Sequence, residues 1–99
     1  MDRPVAIVTG AANNIGRAIA EELASSHALV LVDRADASGV ARRLPQAVAV
    51  EADVCNGDDC ARAVAAAQRL GPLKALVQNT WCEIIFDGAA WKLMKYGAL

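Results

Sequence analysis

Apolar residues run almost unbroken through four short segments of the chain. The segments are residues 4–9 (PVAIVT), 28–33 (ALVLVD), 47–54 (AVAVEADV) and 73–80 (LKALVQNT). They are rich in aliphatic and β-branched residues and lack a strict apolar–polar alternation, which is typical of strands covered on both faces. We therefore predict four buried β-strands.

A helical period follows the first strand. Ile15, Ile19 and Leu23 recur at every fourth position, and charged or polar residues occupy the positions between them. This spacing predicts an amphipathic helix of about three turns. We expect it to begin near Asn14 and to end near residues 26–27.

Two more helices are predicted between the remaining strands. Residues 35–44 are compatible with a short helix, although Gly39 weakens it. Asn56 is suited to cap an Ala-rich helix that reaches Leu70, because its side-chain oxygen can accept a backbone hydrogen bond from the first turn. Gly71 and the proline after it supply the stop signal.

The order of elements over residues 1–80 is therefore β-α-β-α-β-α-β. Buried strands that alternate with helices predict an α/β fold with a parallel sheet and right-handed crossovers. The spatial order expected for such a unit is 3-2-1-4, with helices on both faces, which is half of a doubly wound Rossmann fold. We predict that residues 1–80 form this dinucleotide-binding half-domain.

Charge and cysteine content narrow the classes of function. The net charge is −1, with both signs mixed along the chain, so nothing indicates nucleic acid or an anionic membrane surface as a partner. No apolar run approaches the roughly 20 residues of a membrane helix, and no leader pattern is present. Three cysteines without CxxC spacing and a single histidine predict reduced thiols, a cytoplasmic location and no metal site.

The segment TGAANNIG, residues 9–16, joins the first strand to the first helix. Backbone N–H groups and the helix dipole at such a junction favour an anion. A nucleoside-triphosphate loop is excluded, because GxxxxGK is not present and Arg17 follows the second glycine. Gly10 permits a tight turn and Gly16 a close approach of helix to strand, which favours a dinucleotide.

An acidic residue ends the second strand. Asp33 lies 17 residues after Gly16. A carboxylate in this position can accept hydrogen bonds from an adenosine ribose and repels a 2′-phosphate. The combination of strand, glycine turn, helix, strand and acid is more specific than the two glycines alone.

These motifs resemble the short-chain dehydrogenase/reductase family over residues 4–80. TGAANNIG is similar to the family's TGxxxGxG loop, Asp33 to its NAD-selecting acid, and Asp53–Val54 to the Asp-Val pair that touches adenine. VQNT at residues 77–80 resembles a degraded form of the family's VNNAG segment. The resemblance implies cofactor binding at Thr9, Gly10, Asn13, Asn14, Ile15, Gly16, Asp33, Arg34, Asp53, Val54 and Asn79.

The resemblance also implies NAD rather than NADP as cofactor. Asn13 stands where NADP-dependent members often carry a basic residue, and Asp33 is retained. Two interpretations of Arg34 stay open, a solvated surface charge and a contact with a 2′-phosphate. Asn14 replaces the family's middle glycine, and we expect the loop to keep its shape because Asn tolerates left-handed torsions.

The family's catalytic Ser and Tyr-x-x-x-Lys come after the segment that this chain resembles. Tyr96 does not fit, because only three residues follow it. We therefore assign no catalytic residue and expect a truncated oxidoreductase portion that is inactive alone. The alternatives are a standalone dinucleotide-binding or regulatory module and a remnant of the fold that binds nothing.

Residues 81–99 form a tail of different composition. All four aromatic residues lie in this tail, whereas all seven arginines precede it. A changed reading frame or a joined foreign end is one hypothesis for this break. The spacing of Phe86, Ala90, Leu93 and Ala98 predicts a helix there. The fourth strand is expected to leave an open edge through which the chain self-associates.

Overall fold

The computed structural model describes residues 3–79 together with the backbone of residues 83–86 and 91–95. The elements of the first part are β1 (Val5–Thr9), α1 (Asn14–Leu23), β2 (Ala28–Asp33), α2 (Ser38–Ala41), β3 (Ala47–Glu51), α3 (Gly57–Leu70) and β4 (Leu73–Val77). Every strand and helix predicted for residues 1–80 is present. None of the helices in this described part is long and apolar enough to cross a membrane.

The first four strands form one parallel sheet in the order β3-β2-β1-β4, which confirms the predicted topology. β1 and β2 lie in the centre and are buried almost completely. Parallel strands all end at the same edge of a sheet, so the loops after β1, β2, β3 and β4 meet at its carboxyl edge. That edge is where the predicted cofactor residues lie.

Two apolar layers cover the sheet, as expected for helices on both faces. Ile7 and Val30 point towards α3, whose small residues, such as Ala63 and Ala67, let it pack closely. Leu29 and Leu31 point to the opposite face, where α1 and α2 lie. Side chains alternate between the faces of a strand, so β1 and β2 supply both layers.

Several elements are shorter than predicted. α2 is a single turn, since Gly39 disfavours a longer helix. β3 ends at Glu51 and β4 at Val77, each three residues before the predicted end of the strand. Ile15 was placed on the inward face of α1, yet it is 67% exposed. The first turn of α1 begins at the carboxyl edge of the sheet, where no strand lies beneath it.

The tail forms strands rather than the predicted helix. β5 (Glu83–Phe86) and β6 (Trp91–Lys95) pair antiparallel in a separate two-stranded sheet. The helical spacing was misleading, because EIIF and the Trp that opens β6 have strong β-propensity. Ala90 and Ala98 lie outside the described residues, and the boundary at residue 80 stays a prediction.

Candidate functional site

The loop after β1 contains two residues with left-handed backbone torsions. Gly10 has φ = 66° and Asn14 has φ = 54°. Among the described non-glycine residues, Asn14 alone has a positive φ. Asn14 therefore adopts the left-handed torsion that was expected of it, and preservation of the family's loop shape stays a prediction. Asn14 is exposed, so the Cβ that it carries in place of a glycine hydrogen lies on a surface that is open to solvent.

The two glycines lie in direct contact across the loop. A Cβ placed on Gly16 would lie 2.0 Å from the carbonyl oxygen of Gly10 and 2.6 Å from its carbonyl carbon. Real side chains do not approach a backbone so closely, so only glycine allows α1 to sit on the end of β1. This contact fixes the position of the first turn of α1, so that its free N–H groups face the loop after β1.

The amino end of α1 is open to solvent and carries no acidic residue in its first turn. Asn13, Asn14 and Ile15 are exposed side by side. In the part of the chain that the structure describes, Asn13 makes no side-chain hydrogen bond that caps the helix. The N–H groups of the first turn and the helix dipole can therefore act on an anion.

Asp33 ties β2 to the loop after β1. Its Oδ2 accepts the N–H of Ala12 and its Oδ1 accepts the N–H of Ala35, both at 2.9 Å. The carboxylate is half-buried at the carboxyl edge of the sheet. Each oxygen of a carboxylate has a second lone pair, so Asp33 can still accept hydrogen bonds from a ligand's hydroxyl groups.

The β3 end forms a cleft beside Asp33. The cleft has a volume of about 190 Å³ and is lined by Arg34, Glu51, Ala52, Asp53 and Asp59. Pockets that enclose a small molecule measure about 300–1,000 Å³. This cleft can therefore hold one end of a ligand. Three carboxylates and one guanidinium line it, which gives it a negative balance of charge.

Asp53 is fixed by hydrogen bonds at both its side chain and its backbone. Its Oδ1 accepts the N–H of Cys55 at 2.9 Å, and its own N–H donates to Oδ2 of Asp59 at 2.9 Å. The Asp53 N–H and the Arg62 guanidinium, in that order of importance, hold the pKa of Asp59 below its usual range. Val54 is buried against α3.

The β4 end closes the other side of the loop. The N–H of Asn79 donates to Oγ1 of Thr9 at 2.8 Å, and Thr9 is fully buried. The carbonyl oxygen of Asn79 would lie 2.8 Å from a Cβ on Gly10. Its amide nitrogen Nδ2 would lie 3.1 Å from a Cβ on Gly16. Asn79 thus packs on both glycines. Trp81, the residue that follows the VQNT segment, lies outside the described residues.

The structure brings together the loops to which the predicted residues belong, and it adds three groups that the sequence did not single out. These are the Ala12 N–H, which Asp33 holds, and the side chains of Asp59 and Arg62. The one available signal was the position of Asp59, three residues after Asn56, where an acid often completes a helix cap. No group of three His, Cys, Asp or Glu side chains suited to a metal lies among the described residues.

Comparisons with known proteins agree on the family of this chain. The sequence model of the short chain dehydrogenase family matches residues 4–87, which extends beyond residue 80. A Streptomyces violaceoruber protein, named as ketoacyl reductase 2 of the granaticin polyketide synthase, is 39% identical over 83 residues. The matched part covers 79% of this chain and 33% of that protein.

A solved structure supports the same relationship. A short-chain dehydrogenase/reductase from Burkholderia phymatum, crystallised in complex with NAD, is 33% identical and superposes with a TM-score of 0.63. The match covers 76% of this chain and 30% of that structure. The chain thus spans about a third of the length of each of these two proteins.

Proposed function

The chain belongs to the short-chain dehydrogenase/reductase family, and from this membership we propose that it binds NAD in preference to NADP at the carboxyl edge of its sheet. The pyrophosphate lies on the first turn of α1, beside Gly10 and Gly16. The adenosine ribose lies at Asp33, and the adenine lies in the cleft at Asp53, next to the buried Val54. Asn13, Asn14, Ile15 and Asn79 border the loop.

The observation that carries the preference for NAD is the double attachment of Asp33. Its two oxygens are each held by a backbone N–H group, at Ala12 and at Ala35. A carboxylate held in this way does not rotate aside to admit a 2′-phosphate. The negative balance of the neighbouring cleft opposes a phosphate as well. Arg34 is exposed beside three carboxylates, which favours its role as a solvated charge.

The same chain is not expected to turn over a substrate by itself. None of its 99 residues matches the family's catalytic Ser or Tyr-x-x-x-Lys. Binding of the dinucleotide without hydride transfer is therefore the activity that we assign to residues 1–99. The predicted cytoplasmic location stays a prediction.

An amide NMR titration tests this assignment. On addition of NAD, we expect shifts confined to residues 10–16, Asp33 and residues 53–54, with a weaker response to NADP. In Asp33→Asn the preference for NAD should fall, whereas Asp36→Asn removes a nearby exposed carboxylate and should leave it unchanged. A well-dispersed spectrum that ignores both nucleotides would show instead that the fold persists without binding.

We also infer that β4 mediates self-association. In the described sheet β4 pairs with β1 alone, and its Leu76 and Val77 stay only half-buried. An unpaired parallel edge of aliphatic residues is a template for another strand. Amide exchange at two protein concentrations tests this, since dilution should speed exchange in β4 and leave β3 unchanged. Equal behaviour of both strands, with a monomer by sedimentation at both concentrations, would contradict it.

A further inference from the structure

A chain of hydrogen bonds fixes the turn that carries Asp53, and its other members, Glu51, Asp59 and Arg62, lie outside the residues assigned to the cofactor above. Oδ2 of Asp59 accepts the Asp53 N–H at 2.9 Å. Oδ1 of Asp59 accepts from Nη2 of Arg62 at 2.9 Å, and the same nitrogen donates to the carbonyl oxygen of Glu51 at 3.0 Å. We call Glu51, Asp53, Asp59 and Arg62 the adenine-end bridge.

The bridge adds hydrogen bonds between two elements that also pack through apolar side chains, such as Val50 of β3 and Ala63 of α3. Glu51 is the last residue of β3, while Asp59 and Arg62 lie in the first turns of α3. The N–H of Asp59 also donates to Oδ1 of Asn56, which caps the helix. In an ordinary capping box the acid would bond back to the N–H of the cap residue itself. Here Asp59 reaches three residues further, to Asp53.

The two hydrogen bonds that Asp59 accepts require its ionised carboxylate. It accepts hydrogen bonds on both oxygens, one from a backbone N–H and one from a guanidinium. An asparagine in its place can present an oxygen to only one of these donors and must turn its NH₂ group towards the other. Replacement by Asn therefore breaks the bridge at one point while keeping the size of the side chain.

We propose that Asp59, supported by Arg62, is a positioning residue that holds Asp53 where it recognises the amino group of the adenine ring. This inference rests on the proposed binding of NAD. Asp59 does not touch the ligand in this assignment. It fixes the backbone of Asp53, and the Asp53 carboxylate then accepts the exocyclic amine. A change at Asp59 should act on recognition of the base and spare the recognition of pyrophosphate at α1.

The test compares two dinucleotides that differ only at that amino group. NAD carries an amine at C6 of the purine, and nicotinamide purine dinucleotide carries a hydrogen in its place, with the ring nitrogens unchanged. A hydrogen bond to a charged group gives a preference of about tenfold or more, so wild-type chain should prefer NAD by that factor. In Asp59→Asn this preference should fall towards one, while Asp58→Asn, a neighbouring exposed acid, should retain it.

The ratio of the two affinities separates positioning from a merely structural role. If Asp59→Asn only lowered the folded fraction, both dinucleotides would bind more weakly by the same factor and their ratio would stay unchanged. A second pair of variants makes the same comparison for the arginine of the bridge. Arg62→Lys should reduce the ratio, whereas Arg69→Lys, in the last turn of α3, should leave it unchanged.

The outcomes separate this proposal from the one on which it rests. Binding of NAD by the wild type with an equal ratio in Asp59→Asn and Asp58→Asn would overturn the bridge and leave the proposed function intact. An equal loss of affinity for both dinucleotides in Asp59→Asn would also overturn it. A wild-type chain that binds neither dinucleotide would overturn both proposals.

Discussion

The two ends of the candidate site are shaped by different forces. The phosphate end, after β1, depends on backbone sterics, with two glycines in contact and two residues at positive φ. The adenine end, after β3, depends on ionised side chains that bond to backbone groups. The phosphate end should be insensitive to pH, but it should not tolerate a methyl group added to either glycine. The adenine end should tolerate changes of volume and respond to charge.

Gly16→Ala is the strongest test of the steric end. The added methyl group would overlap the carbonyl of Gly10, so α1 must move away from β1. We expect a loss in the free energy of unfolding of at least about 3 kcal/mol, the upper part of the range for overpacking, measured by urea denaturation. Gly57→Ala is the matched control, because nothing lies within 4 Å of its Cβ. It should be neutral or stabilising, and equal losses in the two variants would contradict the steric account.

Thr9→Val asks whether a side-chain hydrogen bond also matters at the phosphate end. Valine has nearly the same shape, but the N–H of Asn79 would lose its acceptor. We expect a loss of about 1–2 kcal/mol and faster amide exchange at Asn79. Ser26→Ala removes an exposed hydroxyl that bonds to Leu23 and should cost little. An unchanged exchange rate at Asn79 would show that sterics alone hold this side of the loop.

Substitutions at Asn14 sharpen the role of backbone torsion. Alanine is strained at positive φ by roughly 1–2 kcal/mol, so Asn14→Ala should destabilise the chain by about 1 kcal/mol. Asn14→Gly should change stability little and tighten NAD binding, since it removes the Cβ above the loop. Both effects can be measured by thermal unfolding and by titration. Equal stability of the Ala and Gly variants would contradict the argument.

The smallest effect expected concerns pH at the adenine end. The Asp53 N–H, and after it Arg62, lower the pKa of Asp59 in the folded chain. The unfolded chain therefore takes up the proton first as pH falls, and stability from Asp59 is present above about pH 4 and lost below it. Urea unfolding of Asp59→Asn should show a flatter dependence on pH in this range than Asp58→Asn does. Asp36, whose pKa is also lowered by its hydrogen bonds with Ser38, should leave a residual slope in both variants.

The parallel sheet could be predicted from the sequence because the apolar segments show which strands are buried. Two central strands that are apolar up to their last residues predict the middle of the sheet. The glycine loop and Asp33 predict which edge of the sheet carries the candidate site. The tail shows the limit of that approach, since four residues at helical spacing could not outweigh the β-propensity of EIIF. Periodicity also overestimated the burial of Ile15, because it does not show where a helix begins relative to a sheet.

The hydrogen bonds of the site could not be predicted in the same way. The contact between Asp33 and the N–H of Ala12 joins residues 21 positions apart and depends on side-chain torsions. Spacing alone places Asp59 in the first turn of α3, whereas its hydrogen bond from the Asp53 N–H depends on the turn that joins β3 to α3. Residue type and spacing indicate which groups are candidates, whereas three-dimensional geometry decides which partners they take.

The bond from Asp33 to Ala12 has a consequence for how cofactor preference can change by mutation. In the proposed mode of binding, one side chain both opposes a 2′-phosphate and holds the loop after β1. A single substitution of Asp33 therefore removes the charge that opposes NADP, but it also lowers the affinity for both cofactors because the loop loses a hydrogen bond. An adaptive path from NAD to NADP has to begin elsewhere, with a substitution that secures the N–H of Ala12. Only after that can Asp33 be lost without an intermediate that binds both cofactors poorly.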